Sequence, residues 1–460
     1  MTTEKYDLVI ANGRVMDPES GLDAVRSVGI ADGIVRTISE GPLQGQEAID
    51  AAGLVVAPGF IDLHSHGQDR ENYEIQAMDG VTTALELELG TGDVDAWYAR
   101  REGSALVNFG ASAGHIPVRM DVMSDPGDFL PVGDAASRAS SNSEVEEVKR
   151  RIETGLNQGA LAVGFGLQYT PGTSRWEVLE VFRIAARAGA TCHVHMRGMG
   201  HREPMNSIEG LAELIAAAAI TGASLHVVHI NSSGIRAVPQ LLQMMEEARA
   251  NGVDVTSECY PYSAGMTGIE SALLDEGWQE KLGIDYGDME WAATGERLTA
   301  RTFAEYRETG GMVILHAFPV PMVEAAVNSP DTMIATDGFL RSGKGHPRTA
   351  GTYSRVLGRF VREAGSLSMM DALRKMALMP AQRIESRTPA MGNKGRIRIG
   401  ADADLVVFDP ERVADRSTYL EPTIPPEGIE HVMVNGVPVV SGGRLQSGIA
   451  PGRPVRSPVS

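Results

Sequence analysis

Apolar strands alternate with helical patterns through the middle of the chain, and this alternation restricts the possible folds more than any other sequence feature. Eight such strands joined by helices predict an α/β fold, a (β/α)8 TIM-like barrel. An open doubly wound sheet is the alternative, but no GxGxxG motif follows an early strand. The predicted strands are Phe60–His64, Thr82–Leu89, Leu106–Ser112, Ala160–Gly166, Thr191–His195, Ser224–His229, Asp254–Glu258 and Met333–Asp337.

One connection in this central region is unusually long. Residues 265–311 exceed a normal connection and contain apolar segments of their own, so we predict an insertion that covers an active site. Met312–His316 is predicted as an extra strand, which either leaves this insertion or takes a barrel position. The segments with helical periodicity are 143–157, 175–188, 207–220, 237–250 and 368–379.

Both ends of the chain are rich in short strands and tight turns. Asn12-Gly13 and Asn435-Gly436 are hairpin signals flanked by apolar residues. We therefore predict a small β-sandwich domain assembled from residues 1–56 and 385–460, with the barrel occupying residues 57–384 between them.

The charge of the chain argues against some classes of partner. In 460 residues, 60 acidic side chains outnumber 41 Lys and Arg, which gives a formal net charge of −19. This balance disfavours binding to nucleic acid or to an anionic membrane surface. No apolar run is long enough to span a membrane, and the first twenty residues lack the pattern of a secretory signal. The composition leaves open whether the chain forms a homo-oligomer.

Cysteine usage indicates the compartment. Only Cys192 and Cys259 occur, and neither belongs to a CxxC pair. The sequence therefore excludes a disulfide scaffold and predicts a reducing, cytoplasmic location.

Histidines and an aspartate occupy the ends of four predicted strands. His64 and His66 close the first strand, and residues two apart on a strand face the same side. His195, His229 and Asp337 close the fifth, sixth and eighth strands. Because a barrel carries its active site at the carboxyl ends of its strands, we expect these side chains to meet there. Imidazole and carboxylate groups that converge on one point predict a site for a divalent metal ion.

This layout resembles the amidohydrolase superfamily, which has HxH on the first strand, one histidine on each of two later strands and an aspartate on the last. Several short motifs are similar to those of its D-aminoacylase branch, the N-acyl-D-amino-acid deacylases. The motifs are GVTT at 80–83, GHIPVR at 114–119, GLQYTPGTS at 166–174, HMRG at 195–198, YPYSAGMT at 260–267, HPRTAGTYSRVLGRFVRE at 346–363 and, in the small β-domain, GADADLVVFDP at 400–410.

The resemblance implies a metal-dependent amidohydrolase that removes the acyl group from an N-acyl-D-amino acid. Zinc is the implied metal, as one or two ions, with Mn, Co or Fe as alternatives. Zinc with an open coordination position lowers the pKa of bound water towards about 7. The implied partner is a small amide substrate that carries a carboxylate.

The resemblance also implies roles for the residues at the strand ends. His64 and His66 serve the more exposed metal position, and His195 and His229 hold the more buried zinc. Asp337 is the catalytic carboxylate, which takes a proton from water and later gives it to the departing amine.

Three further residues match positions that contact the substrate in the family. Tyr169 and Arg348 match positions that hold the carboxylate of the substrate. Tyr262 matches a wall of the pocket. A guanidinium can grip a carboxylate through two hydrogen bonds, a geometry that lysine lacks.

Two positions depart from the family pattern. Leu89 stands where family members have a metal-binding cysteine, and we expect the adjacent Glu88 to bridge the metal instead, with Glu86 as the alternative. Asn231 stands where D-aminoacylases have a lysine that contributes to substrate binding. The preferred side chain or acyl group of the substrate is therefore expected to differ from theirs.

Two other functions remain open, and these departures motivate the first of them. One is hydrolysis of another small linear or cyclic amide, such as a lactam or a carbamoyl compound. The other is a non-catalytic barrel that serves as a scaffold, which the intact histidines and Asp337 argue against.

Two more histidines lie next to the predicted ligands. His193 is two residues before His195 and is expected to face the barrel interior as a hydrogen-bond partner of the site. His226 has the opposite parity to His229, which predicts that it packs against a helix.

Overall fold

The computed structural model describes residues 6–200 and 203–459, and eight parallel strands form its central barrel. The strands neighbour one another in chain order, from the first to the eighth. A bridge between Ser65 and Gly338 joins the segments that follow the first and eighth strands. The predicted barrel is thereby confirmed. Its strands are Phe60–Asp62, Val81–Thr91, Asn108–Gly114, Ala162–Gly166, Thr191–His195, Leu225–Val227, Val255–Cys259 and Thr332–Ile334.

A buried carboxylate helps to close the barrel between its first and last strands. Asp62 accepts hydrogen bonds from the backbone N–H of Thr336 at 3.0 Å and from the Thr336 hydroxyl at 2.5 Å. The N–H of His66 donates to the carbonyl oxygen of Gly338 at 3.0 Å. These bonds fix the first and eighth strand ends side by side, where the predicted ligands lie.

Helices on the outside of the barrel bury one apolar face each. Asn142–Asn157 begins with a capping box, in which the Ser141 side chain accepts from the N–H of Glu144. Its Val148 and Ile152 are fully buried. Burial of one such aliphatic side chain stabilises the folded state by about 1.5–3 kcal/mol relative to exposure. The α-helices are Arg70–Met78, Val94–Ala99, His115–Met123, Asp134–Ser137, Asn142–Asn157, Arg175–Arg187, Ser207–Thr221, Ile230–Gly234, Val238–Ala250, Trp278–Leu282, Ala300–Thr309, Val320–Asn328, Arg348–Arg355, Met369–Leu373 and Met379–Glu385.

Helical segments of other types complete the helical content of the described residues. Val356–Glu363 and Arg374–Leu378 are π-helical, and both continue directly from an α-helix. Ala272–Leu274, Tyr286–Asp288 and Pro389–Asn393 are 3-10 helices. No helix in the described part of the chain is both long and apolar enough to cross a membrane.

The insertion between the seventh and eighth barrel strands forms its own small sheet. Gly265–Gly268 and Met289–Trp291 both pair antiparallel with Met312–Leu315. The extra strand predicted at 312–316 therefore belongs to this sheet and not to the barrel.

Strands from both ends of the chain share one nine-stranded sheet. Leu405–Phe408 pairs antiparallel with Val55–Pro58, which leads directly into the barrel. The first strand of the chain, Tyr6–Asp17, pairs along both halves with Leu22–Ala31 on one edge, with an irregularity between Ile10 and Gly13. On its other edge, the first half pairs with Gly45–Asp50 and the second half with Val55–Pro58. The nine strands are Tyr6–Asp17, Leu22–Ala31, Ile34–Ser39, Gly45–Asp50, Val55–Pro58, Leu405–Phe408, Ile429–Val434, Val437–Ser441 and Arg444–Leu445.

The last residues of the chain return to the barrel. The N–H of Val455 donates to the carbonyl oxygen of Phe109 at 2.7 Å, on the third barrel strand. The division of the chain into domains at residues 56 and 385 stays a prediction.

Candidate metal and substrate site

Six side chains from five barrel strands meet at the carboxyl-terminal mouth of the barrel. Glu88 lies within the second strand, and the others end a strand or follow one directly. All six side chains are largely or fully buried, so bulk water does not compete for their polar atoms. The six are His64, His66, Glu88, His195, His229 and Asp337.

The carboxylate of Glu88 lies between two pairs of histidines. Its Oε2 atom is 3.1 Å from Nε2 of both His64 and His66. Its Oε1 atom is 2.9 Å from Nδ1 of His195 and 3.8 Å from Nε2 of His229. Each carboxylate oxygen therefore faces one histidine pair, which is the arrangement expected of a carboxylate that bridges two cation positions.

Asp337 adds a second carboxylate to the first histidine pair. Its Oδ1 atom is 3.5 Å from Nε2 of His64 and 3.3 Å from Nε2 of His66. Its Oδ2 atom is 2.9 Å from Nη1 of Arg348. Asp337 thus borders both the histidines and the guanidinium that was predicted to hold the substrate.

Two of the six residues have left-handed backbone conformations. The φ angles are 33° at His229 and 51° at Asp337, a region that residues other than glycine seldom adopt. The sixth and eighth strands end at Val227 and Ile334, before these residues. The strand alternation used to predict their direction therefore does not reach them, and turns aim both side chains into the mouth.

Both carboxylates are ionised despite their burial. Burial alone would raise the pKa of Glu88, but His64, His195 and His229 outweigh it and hold that pKa well below its usual value. Burial also opposes ionisation of Asp337, yet Arg348 and His64 overcome it and lower its pKa. Two negative charges are therefore held among the imidazoles.

The imidazoles differ in their affinity for protons. Burial disfavours the charged forms of His64 and His66, but the surrounding carboxylates outweigh it and raise both pKa values well above the usual one. Burial and the neighbouring His229 lower the pKa of His195 to about 4. A metal ion would have to displace protons from the first pair, whereas His195 is neutral at pH 7 and available as a ligand.

The donor atoms in the described residues fit one or two divalent ions. His64, His66 and Asp337 form one group whose candidate ligand atoms all lie within 4.8 Å of one another, and His64, Glu88 and His229 form a second. Nε2 of His195 is buried and has no hydrogen-bond partner among the described residues. Imidazole nitrogens with carboxylate oxygens are the usual ligands of zinc.

A cleft of about 340 Å³, part of which is open to solvent, lies beside these groups. Met266 and Met312 come from the insertion sheet and form part of its wall, so the insertion covers the mouth of the barrel. Arg348 is the only Arg or Lys among the described lining residues. The lining residues are His66, Glu88, Leu89, Phe129, Leu130, Tyr169, Met266, Thr267, Met312, Asp337, Phe339 and Arg348.

The predicted substrate residues differ in how close they come to this cleft. Tyr169 lines it, with its ring 4.9 Å from that of His195. Arg348 also lines it, and its guanidinium lies 4.5 Å from the ring centre of Tyr260. Tyr262 lies farther back and packs on His346.

The structure shows where the two positions that depart from the family pattern, Leu89 and Asn231, lie. Leu89 lines the cleft, and Glu86 accepts from its backbone N–H at 3.1 Å while contacting Nδ1 of His66 at 2.7 Å. Glu86 therefore lies behind His66, whereas Glu88 lies between the histidine pairs. The side chain of Asn231 donates to the carbonyl oxygen of Tyr260 at 3.2 Å.

Sequence reasoning missed Glu258 and misplaced His226. Glu258, on the seventh strand, contacts Nδ1 of His64 at 2.5 Å and Nε2 of His226 at 3.0 Å. The prediction that His226 packs against a helix is wrong, because the irregular turn before His229 breaks the parity on which it was based. His193 faces the interior beside His226, at 4.6 Å between ring centres, but its ring nitrogens make no hydrogen bond to the described residues.

Comparison with known proteins agrees with this geometry. N-acyl-D-glutamate deacylase of Alcaligenes xylosoxydans xylosoxydans is 28% identical over 485 aligned positions, covering 95% of this chain and 94% of the relative. D-aminoacylase of the same organism is 27% identical over 493 positions and covers 95% of each. The predicted resemblance to the D-aminoacylase branch is confirmed.

A solved structure is similar over almost the whole chain. N-acyl-D-glutamate deacylase from Bordetella bronchiseptica, solved with zinc and a phosphonate inhibitor that mimics the tetrahedral intermediate, matches with a TM-score of 0.84 and 26% identity. The match covers 99% of this chain and all of that one. The relatives indicate a hydrolase that acts on carbon–nitrogen bonds other than peptide bonds. A model of the amidohydrolase family matches residues 47–112 and 123–440, and the chain therefore belongs to the amidohydrolase family.

Proposed function

We propose that this protein is a zinc-dependent amidase that removes the acyl group from N-acyl-D-amino acids. The observation that carries the proposal is the position of Glu88 between two histidine pairs, next to a cleft that presents Arg348. The D configuration is taken from the activities named for the two Alcaligenes relatives.

The chain offers a complete ligand set for this reaction. His64, His66, His195 and His229 would hold the metal, with Glu88 as the bridge if two ions bind. Zinc suits these donors best, and Mn, Fe or Co would fit the same atoms. When bound, zinc supplies a Lewis acid that polarises an amide carbonyl and lowers the pKa of water.

Asp337 is the residue placed to move protons. Its carboxylate borders His64 and His66 on one side and the cleft on the other. Because its pKa is held low, it is ionised at neutral pH and can accept a proton from water. It would then return that proton to the amine that leaves.

Arg348 is the residue placed to bind the carboxylate of the substrate. Its side chain is buried at the cleft, and its Nε makes no hydrogen bond to the described residues. An N–H group buried without a partner is costly, so a ligand oxygen at this point would be stabilising. A guanidinium and a carboxylate pair through two parallel hydrogen bonds.

The cleft favours an apolar substituent on the substrate. Half of its lining side chains are large and apolar, and Arg348 has no second Arg or Lys beside it in the described lining. A substrate with an acidic side chain would bring a second carboxylate towards Glu88 and Asp337 without a second Arg or Lys in the described lining to pair with it. We therefore expect an N-acyl-D-amino acid with an apolar side chain.

A substrate panel tests this function. Purified zinc-loaded protein is assayed for amine release from N-acetyl-D-leucine, its L enantiomer, N-acetyl-D-glutamate and N-acetyl-isopentylamine, which lacks the carboxylate. We expect the D-leucine compound to be cleaved best. Loss of the carboxylate is expected to lower kcat/KM by about 10–100-fold, the effect of one charged hydrogen-bond pair.

The panel also separates the competing functions. Cleavage of lactams or carbamoyl compounds in preference to all N-acyl amino acids would overturn the proposal in favour of another amidase. A preference for N-acetyl-D-glutamate would overturn only the expected apolar side chain. Zinc-loaded protein that cleaves none of these amides would favour the scaffold.

Zinc affinity is expected to depend steeply on pH. The raised pKa values of His64 and His66 mean that both carry protons near neutral pH without metal, and a lower pH increases this occupancy. Zinc must displace these protons. Its apparent Kd should therefore rise about tenfold for each unit by which the pH is lowered, for each displaced proton. Competition titration with a chelating dye between pH 8 and pH 6 measures this. A Kd that does not change over this range would contradict it.

We also infer the domain division and the compartment from the sequence pattern. A small β-domain of residues 1–56 and 385–460 would hold the two ends of the barrel segment together. Both cysteines are buried free thiols, which supports a reducing, cytoplasmic location.

A further inference from the structure

Beneath the candidate metal site, the carboxylate of Glu258 joins two imidazoles. Its Oε1 atom is 2.5 Å from Nδ1 of His64, and its Oε2 atom is 3.0 Å from Nε2 of His226. All three side chains are fully buried in the barrel. On the far side of His226, its Nδ1 is 2.7 Å from the Thr256 hydroxyl.

This chain of contacts fixes where the hydrogens lie. An ionised carboxylate only accepts hydrogen bonds, so the ring nitrogens of His64 and His226 that face Glu258 must be donors. The Thr256 hydroxyl can donate to the other nitrogen of His226. In a neutral His64 ring, the remaining lone pair then belongs to Nε2, the atom that faces Glu88 and His66.

We propose that Glu258 is a positioning residue, which holds His64 in the tautomer and ring orientation that present Nε2 to a metal ion, with His226 anchoring Glu258 in turn. The inference rests on the proposed metal-dependent function. A metal-ligating histidine is oriented by the partner of its other nitrogen, and loss of that partner weakens metal binding.

The position of Glu258 is not explained by stability. Burying a carboxylate away from water costs free energy, and apolar residues of similar volume often stabilise a core at least as well. The neighbouring barrel interior is filled with buried aliphatic residues, such as Leu85 and Leu87, so an apolar side chain could also have occupied the position of Glu258. Orientation of the His64 ring explains why an acidic residue is present at position 258.

A second buried pair in the same chain provides a matched control. Glu177 contacts Nε2 of His115 at 2.9 Å, and both side chains are fully buried. Glu177 lies on the helix Arg175–Arg187 and also pairs with Arg119. This pair has the same chemistry as Glu258 and His64, but it lies among the outer helices.

The test compares Glu258→Gln with Glu177→Gln by zinc titration against a chelating dye, on protein whose fold is checked by circular dichroism. An amide oxygen can accept from one imidazole, but its NH2 group opposes the other. We expect zinc binding at the position of His64 and His66 to weaken about 10–100-fold in Glu258→Gln. In Glu177→Gln the affinity should stay within about twofold, as expected for a distant site.

Two further variants make the result specific. His195→Ala removes a ligand of the other position and so identifies which titration step belongs to His64 and His66. His226→Gln keeps an N–H that can donate to Glu258 and should lose less affinity than Glu258→Gln. It also serves as the test if Glu258→Gln does not fold, since a loss of several-fold is still expected.

The outcomes separate this inference from the proposed function. Unchanged zinc affinity in folded Glu258→Gln, or an equal loss in Glu177→Gln, would overturn the positioning role while leaving the metal site intact. A wild-type protein that binds no zinc would instead overturn the proposed function.

Discussion

Removal of the divalent ion is expected to lower kcat/KM for the best N-acyl-D-amino acid at least about 1000-fold. A bound metal supplies several kcal/mol of stabilisation to the charge that develops on the amide oxygen, and about 4 kcal/mol corresponds to this factor. In the metal-free protein, the described cleft has Arg348 and protonated His66 as alternative cations, and both already pair with Asp337. The measurement is amine release by chelator-treated protein after dialysis, with metal content determined on the same sample.

Restoration by added zinc is the control for this experiment. Most of the barrel core is aliphatic and aromatic and lies apart from the ligands, so the metal-free protein should keep its circular dichroism spectrum. Activity should return on addition of one or two equivalents of zinc. Full activity in a protein shown to contain no metal would rule out the proposed chemistry.

Replacement of Asp337 by asparagine is expected to lower kcat by about 10²- to 10⁴-fold, the usual effect of losing a general acid–base group. Asparagine has the same shape and tolerates the left-handed backbone found here at φ 51°, so the fold should persist. The histidines and Glu88 remain, and zinc should still bind. Steady-state kinetics and a zinc titration of the same preparation measure both properties.

The matched control is Asp254→Asn. Asp254 also pairs with an arginine, Arg383, at 2.6 Å, but it precedes the seventh barrel strand and so lies at the opposite end of the barrel. This variant should keep nearly normal kcat. Unchanged turnover in Asp337→Asn would assign proton transfer to another group, and an equal loss in Asp254→Asn would point to a general effect on the fold.

Most of the fold followed from local patterns. Burial of both faces makes parallel strands read as continuous apolar runs, and Phe60–Asp62 and Thr191–His195 showed this plainly. Four of the five predicted helices agree with the observed ones to within one residue at each end, and side-chain caps such as Ser141 and Ser174 mark two of their starts. The fifth, predicted over 368–379, instead continues through a π-helical segment to Glu385. The extra strand at 312–316 could not be placed, because strand propensity does not say which sheet a strand joins.

The site was harder to predict where the strands end early. Alternation of side chains holds only on a continuous strand, and the sixth strand ends at Val227. The parity argument for His226 therefore failed, although the approach of His229 to the mouth was expected. Glu258 was missed because its partners, His64 and His226, are 194 and 32 residues away in the chain. The sequence feature that could have identified Glu258 was an acidic residue on a strand predicted to lie in the barrel.

The sequence by itself determined the barrel, the residue types gathered at its mouth and the family, since these depend on local periodicity and on motifs in chain order. Only the tertiary structure decided that Glu88, and not Glu86, lies between the histidine pairs, and that Glu258 supports His64 from below. The physical reason is that an atom's neighbours across a closed barrel are set by strand register and twist, which bring together side chains that no sequence window contains.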